Sequence, residues 1–186
     1  AARNGAAVDT FFTDRNDAGA TIGVVGPLAL ASGDGTPFML KNSNFTPLTM
    51  TIAGQTHKKF TVARINNWGT TVGMFKDSSG NMHGFKRYSD GTAISLNYPG
   101  AVETSPTGIN DHGTIVGWYS KKLPPNESRH GFIYHNGQWA TVNFPNSKYQ
   151  TMLEAISNSN LILATTVRGS NALNSYIYVN GKFKKM

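Results

Sequence analysis

The sequence predicts an all-β chain organised as a small four-bladed β-propeller, closed by its N-terminal strand pairing with the C-terminal blade. Three observations carry that prediction. A turn-and-strand signature recurs four times at intervals of 44 to 50 residues, and self-similarity at a period of about 20–50 residues is the mark of a repeat architecture. Each signature is followed by an aromatic-led apolar run, which in three copies reaches a DG or NG pair, the strongest local hairpin signal. Nothing between these segments carries the period of a long amphipathic helix.

The signature reads DRNDAGATIGVV from Asp14, INNWGTTVGMFK from Ile65, INDHGTIVGWYS from Ile109 and AISNSNLILATT from Ala155. Gly19, Gly69 and Gly113 follow Asn or Asp residues where a tight turn needs a positive φ, and Asn160, the next most tolerant residue type, fills that slot in the fourth copy. The apolar run after each turn is nearly continuous, as expected of a strand buried on both faces. Its fourth residue is Gly23, Gly73, Gly117 or Ala164, and a small residue there admits a bulky one from an adjacent sheet.

The second half of each unit opens on Phe38, Phe85, Phe132 or Tyr176, and the turn pairs stand at Asp90, Asn136 and Asn180. Four units of about four short strands fit a radial array in which each blade covers its neighbour. A two-sheet sandwich, the rival, gives no reason for one signature to recur four times. The last copy ends at KFKKM without the strand that precedes the signature elsewhere, while the chain begins with such a strand, AVDTFFTDRND. Residues 7–15 are therefore expected to pair with the last blade, removing both free edges. The expected organisation is one domain, 1–186, with repeat units at about 16–65, 66–109, 110–156 and 157–186 plus 7–15.

Composition agrees with a β-rich chain full of turns: 39% hydrophobic residues with 20 Gly and 8 Pro against only 15% charged make disorder improbable. A chain of 186 residues buries about 70% of its unfolded surface without staples. The absence of cysteine excludes disulfides, thiolate metal sites and a thiol nucleophile. No apolar run reaches the length of a membrane helix and no signal segment opens the chain, so a mature, soluble form is expected. The sequons at Asn44 and Asn126 matter only in a eukaryotic secretory pathway. The net charge of +7 favours anionic polymers as partners, although the basic residues fall in scattered pairs such as Lys58–Lys59 and Lys184–Lys185, as on an ordinary solvated surface.

The stretch NYPGAVETSPTGINDHGTIVGWYS, followed by RHGF and HNG, resembles the HAF-type extracellular repeats. The likeness covers residues 97–137 closely and 64–91 clearly, and fades at Thr36 and Asn174, where the HGF element is replaced. This resemblance implies a secreted or cell-envelope propeller of bacterial type. It implies no reaction and no cofactor, because the family carries no defined catalytic residues.

Candidate chemistry is sparse. His83 and His130 open equivalent strands, a conceivable metal pair, but nothing recurs beside them and structural hydrogen bonding is the favoured reading. The oxygen-rich stretches at Asp14 and Asp77 resemble calcium loops without the distal glutamate, and read better as Asx turns. No GxSxG, HExxH or phosphate-cradling loop appears, and no metal is indicated. The informative positions are departures from the internal consensus. Just before the turn, where the third copy has Thr107 and Gly108, the others carry Asp14, Arg64 and Glu154, and within the turns stand Trp68 and His112. All five are expected at one end of the propeller, where opposite charges and an aromatic ring suit sugar recognition or general acid catalysis.

These readings favour a secreted binder of glycans or another anionic extracellular polymer. The alternatives are a small propeller enzyme, a hydrolase, lyase or cyclase with an acid/base group in a central pocket, and a structural or protein-interaction module. Nucleic acid is disfavoured, since neither a recognition helix nor basic residues interleaved with stacking aromatics are visible.

Overall fold

A computed structural model describes residues 9–26, 35–123, 128–145, 150–168 and 172–186. Among the described residues the chain is all β, with four four-stranded antiparallel sheets and one two-stranded sheet. It divides into two compact units, Ala1–Ser95 and Leu96–Met186.

In the first unit β1 (Thr10–Arg15), β2 (Thr21–Val25), β3 (Thr36–Lys41) and β4 (Asn44–Pro47) form one meander. A short hairpin follows, β5 (Met50–Ile52) and β6 (Gln55–His57), turning through Ala53 and Gly54 at φ 48° and 82°. The third sheet runs through β7 (Thr61–Ile65), β8 (Thr71–Lys76), β9 (Met82–Arg87) and β10 (Ala93–Leu96). The second unit repeats the meander twice. Its first sheet is β11 (Glu103–Ile109), β12 (Ile115–Ser120), β13 (Arg129–His135) and β14 (Gln138–Val142), and its second is β15 (Gln150–Ile156), β16 (Ile162–Arg168), β17 (Ala172–Val179) and β18 (Lys182–Lys185).

The closed four-bladed propeller expected from the sequence is not what the chain forms: the sheets are separate, and none is closed or curled into a barrel or propeller. The error lies in where one unit ends. The signature turn is a hairpin turn inside a sheet, joining its first strand to its second, so β1 pairs antiparallel with β2, Thr10 opposite Val25 and Arg15 opposite Thr21. Its backbone groups are thereby satisfied locally, and the last strand, β18, pairs with β17. Each sheet brings its own first strand, and among the described residues no strand is left over to close a ring. Residues 7 and 8 of the expected closing strand, and the sequon asparagine Asn126, lie outside the described residues.

Local readings fare differently. Gly19, Gly69 and Gly113 stand at φ 79°, 77° and 77°, and Asn160 takes φ 60° at the matching turn. The Asn136–Gly137 and Asn180–Gly181 pairs have both residues at positive φ, the two-residue type I′ geometry that matches strand twist. The small residue in each second strand is required, but by its own sheet. Gly23, Gly73, Gly117 and Ala164 lie directly opposite Phe38, Phe85, Phe132 and Tyr176. A Cβ on Gly117 would stand 2.1 Å from the Ser105 carbonyl oxygen and 2.9 Å from the Phe132 ring. The ring that uses the space comes from the adjoining strand rather than from a neighbouring sheet.

Within each unit the sheets bury one apolar layer between them. In the first, Ile22 and Val24 of β2 meet Val62, Ile65 and Phe85, and β7 packs on β1 and β2. In the second, Val116 and Val142 meet Leu153, Ile162 and Ala164, with β15 packed on β11, β12 and β13. Full burial of such side chains is worth about 1.5–3 kcal/mol each. Gly108 permits the close approach in the second unit, since a Cβ there would lie 3.1 Å from the Ala155 Cα.

Candidate functional site

Among the residues singled out from sequence, Asp14, Arg64 and Trp68 belong to the first unit, and His112 and Glu154 to the second. Asp14 and Arg64 are brought together: Asp14 Oδ2 accepts the Ile65 N–H at 2.9 Å, and Arg64 Nη1 donates to the carbonyls of Ala63 at 2.9 Å and Thr13 at 3.5 Å. Both charges thus hold backbone where β7 meets β1. Trp68 is 70% exposed in its turn. Glu154 Oε1 accepts a 2.6 Å hydrogen bond from the Thr165 hydroxyl on the adjacent strand. Without a closed ring there is no common axis for these side chains to face.

The five positions are also not equivalent. All four first strands carry a β-bulge, between Phe12 and Asp14, Val62 and Arg64, Pro106 and Gly108, and Leu153 and Ala155. The extra residues are Thr13, Ala63, Thr107 and Glu154, so Glu154 corresponds to Thr107 and not to Asp14 or Arg64. At the bulge Thr107 donates to the carbonyls of Leu153 and Val116, tying the sheets of the second unit together.

The turn asparagines have a structural task that the sequence did not disclose. In the second unit the buried Asn110 accepts the His112 and Thr114 N–H groups at Oδ1, 3.1 and 3.0 Å, and donates from Nδ2 to the Ser157 carbonyl and Asn160 Oδ1, 3.3 and 2.9 Å. Asp111 and Asn158 exchange two further bonds, 2.8 and 2.7 Å. The first unit has the same lock: Asn16 donates to the Asn66 carbonyl at 2.9 Å, and Asp17 and Asn67 exchange two bonds, 2.8 and 2.9 Å. The docked turns set the spacing of the paired sheets.

His83 and His130 each use a ring nitrogen structurally, His83 Nε2 against Asp77 Oδ2 at 2.9 Å and His130 Nδ1 against Asn143 Oδ1 at 3.1 Å. Asp77 Oδ1 also accepts the Ser79 and Asn81 N–H groups at 2.8 and 2.9 Å, an Asx turn. The His83 bond, followed by those from Asn81, holds the Asp77 carboxyl well below the usual carboxylate range. Among the described residues no three His, Cys, Asp or Glu side chains gather as a metal site.

Two clefts in the second unit offer space for a ligand. The larger, about 590 Å³, runs along β14, β17 and β18. Its walls are four partly exposed rings: Phe144 lies 4.8 Å from Tyr176 and 5.3 Å from Phe183, centroid to centroid, and Tyr178 lies 4.9 Å from Phe183. Strand register explains the arrangement, with Tyr178 opposite Phe183 and Tyr176 opposite Lys185, so alternate residues of YIYVNGKFKK present rings and an ammonium on one face. Phe144 is fixed by its N–H, which donates to the Thr151 hydroxyl at 2.9 Å. Lys182, Lys185 and Asn143 complete the lining.

The smaller cleft, about 490 Å³, opens at the turn end of the same two sheets and meets the first at Tyr178, which lines both. Ile133, Ile156 and Ile162 contribute apolar surface, and His112 and His135 are among its polar groups. His135 Nδ1 stands 3.0 Å from the Thr114 hydroxyl. Neither cleft is lined by an Asp or Glu side chain. Of the five candidate site residues only His112 lines either of these two clefts. The aromatic groove was missed because Phe144, in the connection after β14, meets the rings of the β17–β18 hairpin through a placement the sequence does not state, although the period-two pattern of that hairpin was there to be read.

No helix among the described residues is long and apolar enough to cross a membrane. Compared with family models, with curated proteins and with solved structures, the chain matches none.

Proposed function

We propose that this chain is a binding protein for acidic glycans, which it holds in the groove between β14 and the β17–β18 hairpin. The observation that carries the reading is the pairing of ring faces with ammonium groups: Phe144, Tyr176, Tyr178 and Phe183 line the same groove as Lys182 and Lys185. A pyranose ring presents an apolar C–H face that stacks on an aromatic side chain, and a uronate or sulfate on the same sugar pairs with lysine. The Asn143 side chain adds amide hydrogen bonding. The net charge of +7 favours the encounter, and the resemblance of residues 97–137 to HAF-type extracellular repeats supports a role outside the cytoplasm. An acid/base enzyme has less support, because neither cleft carries a carboxylate and Glu154 is hydrogen-bonded to Thr165.

The test is a glycan array followed by titration of the best acidic oligosaccharide against Phe183→Ala, Lys185→Gln and Trp68→Ala. Phe183→Ala is expected to weaken binding about tenfold or more, as loss of a central aromatic anchor does, and Trp68→Ala to leave it unchanged. Acidic-glycan binding that Phe183→Ala and Lys185→Gln leave intact, or loss confined to Trp68→Ala, refutes the assignment to the groove.

A further inference from the structure

The two clefts of the second unit touch at Tyr178 but differ in chemistry, and that difference bears on what the bound polymer is made of. The groove carries two lysines, whereas the smaller cleft is lined by no Lys, Arg, Asp or Glu. Its polar atoms belong to neutral amides, a hydroxyl and imidazoles, from Thr114, Asn160, Asn180, His112 and His135. Isoleucines and the Tyr178 ring supply the apolar remainder. That combination hydrogen-bonds hydroxyl or acetamido groups and covers a C–H face, but it has no fixed cation to compensate a buried carboxylate or sulfate. The Asn180–Gly181 turn lies between the clefts, Asn180 lining the smaller and Gly181 the larger.

We infer that the His112–His135 cleft is a subsite for a neutral sugar unit adjoining the acidic unit held in the groove, so that the chain selects a heteropolysaccharide mixing acidic and neutral residues over a wholly acidic one. This rests on the glycan-binding reading of the groove and extends it. Two of the polar side chains are held in place: His135 is paired with Thr114, and Asn160 receives the Asn110 amide. A site assembled before the ligand arrives loses less entropy on binding.

Three probes of equal length test it: an oligouronate, an oligosaccharide of alternating uronate and N-acetylhexosamine, and a neutral hexose oligomer. The alternating probe is expected to bind the wild-type chain about tenfold more tightly than the oligouronate, the gain one or two hydrogen bonds confer, and the neutral probe to bind weakest. Two variants remove the cleft's polar groups without disturbing strands: His112→Ala, and Asn180→Gly, which keeps the positive φ of the turn. Each should lower affinity for the alternating probe toward that of the oligouronate while leaving oligouronate binding unchanged, with thermal unfolding confirming a native fold. Equal wild-type affinity for the alternating probe and the oligouronate overturns the subsite, as does a preference that both variants leave intact or a loss that falls equally on both probes. If no acidic probe binds at all, the groove reading itself fails and the subsite with it. Binding of the oligouronate alone refutes only the subsite.

Discussion

Replacing Asn110 by alanine removes the side chain at the centre of the docked turns of the second unit. Four hydrogen bonds of its amide, two from turn N–H groups and two across to the facing turn, are lost, and its side chain is buried. At about 1 kcal/mol net for each neutral bond the set is worth about 4 kcal/mol, and water reaching the partly exposed His112 and Thr114 amides recovers some of it, leaving an expected loss of about 3 kcal/mol. The exposed Asn158 makes two bonds in the same lock, so Asn158→Ala should cost about 1 kcal/mol or less. Urea unfolding followed by tryptophan fluorescence measures both, because Trp118 and Trp139 lie in the second unit while Trp68, 70% exposed, changes environment little. An unchanged denaturant slope with a lowered midpoint identifies the loss as stability. A cost below about 1 kcal/mol for Asn110→Ala, or one equal to that of Asn158→Ala, would refute the view that the docked turns hold the sheets together.

Gly117→Ala places a methyl group 2.1 Å from the Ser105 carbonyl oxygen, so a loss of about 2–3 kcal/mol or more is expected in the same assay, whereas native-like stability would mean the strands part at no cost. The Asp77 carboxylate, stabilised first by His83, contributes stability that is present above the ordinary Asp range and disappears as pH falls through its depressed native value; carboxyl carbon NMR should show titration well below pH 4, and a midpoint near the ordinary value of about 3.9 would contradict the geometry. Acidic-glycan binding should weaken with added salt but survive it, since lysine attraction is screened and ring stacking is not; complete loss at about 0.15 M salt, where the Debye length is about 8 Å, would show that the rings take no part.

Much of the local structure was legible because it depends on neighbours in sequence. Positive φ at Gly19, Gly69, Gly113 and Asn160 and the hairpin turns at Asn136 and Asn180 follow from steric limits acting within a turn, whereas the need for small residues at Gly23, Gly73, Gly117 and Ala164 was legible but its cause, a ring on the adjoining strand of the same sheet, was not. What a sheet does with its edge strand is not local. The opening segment reads the same whether it pairs with β2 or with β18, and only the hairpin geometry of residues 16–20 selects β2. The Ala53–Gly54 hairpin also escaped the pattern, since alanine at φ 48° is tolerated where surrounding strand pairing enforces it.

The candidate site follows the same division. Sequence by itself determined the supply of groups: a basic chain without cysteine, with few acids, and with an alternating aromatic and lysine hairpin at its end. Tertiary structure decided their use. It committed Asp14 and Arg64 to backbone carbonyls and amides, set Glu154 at the bulge position that Thr107 holds in the neighbouring sheet, and set Phe144 of one connection beside Tyr176 and Phe183 of another sheet. Residue type limits which interactions a side chain can make, but which partner it meets depends on the packing of strands far apart in the chain, and that packing is chosen by the sum of all the contacts at once.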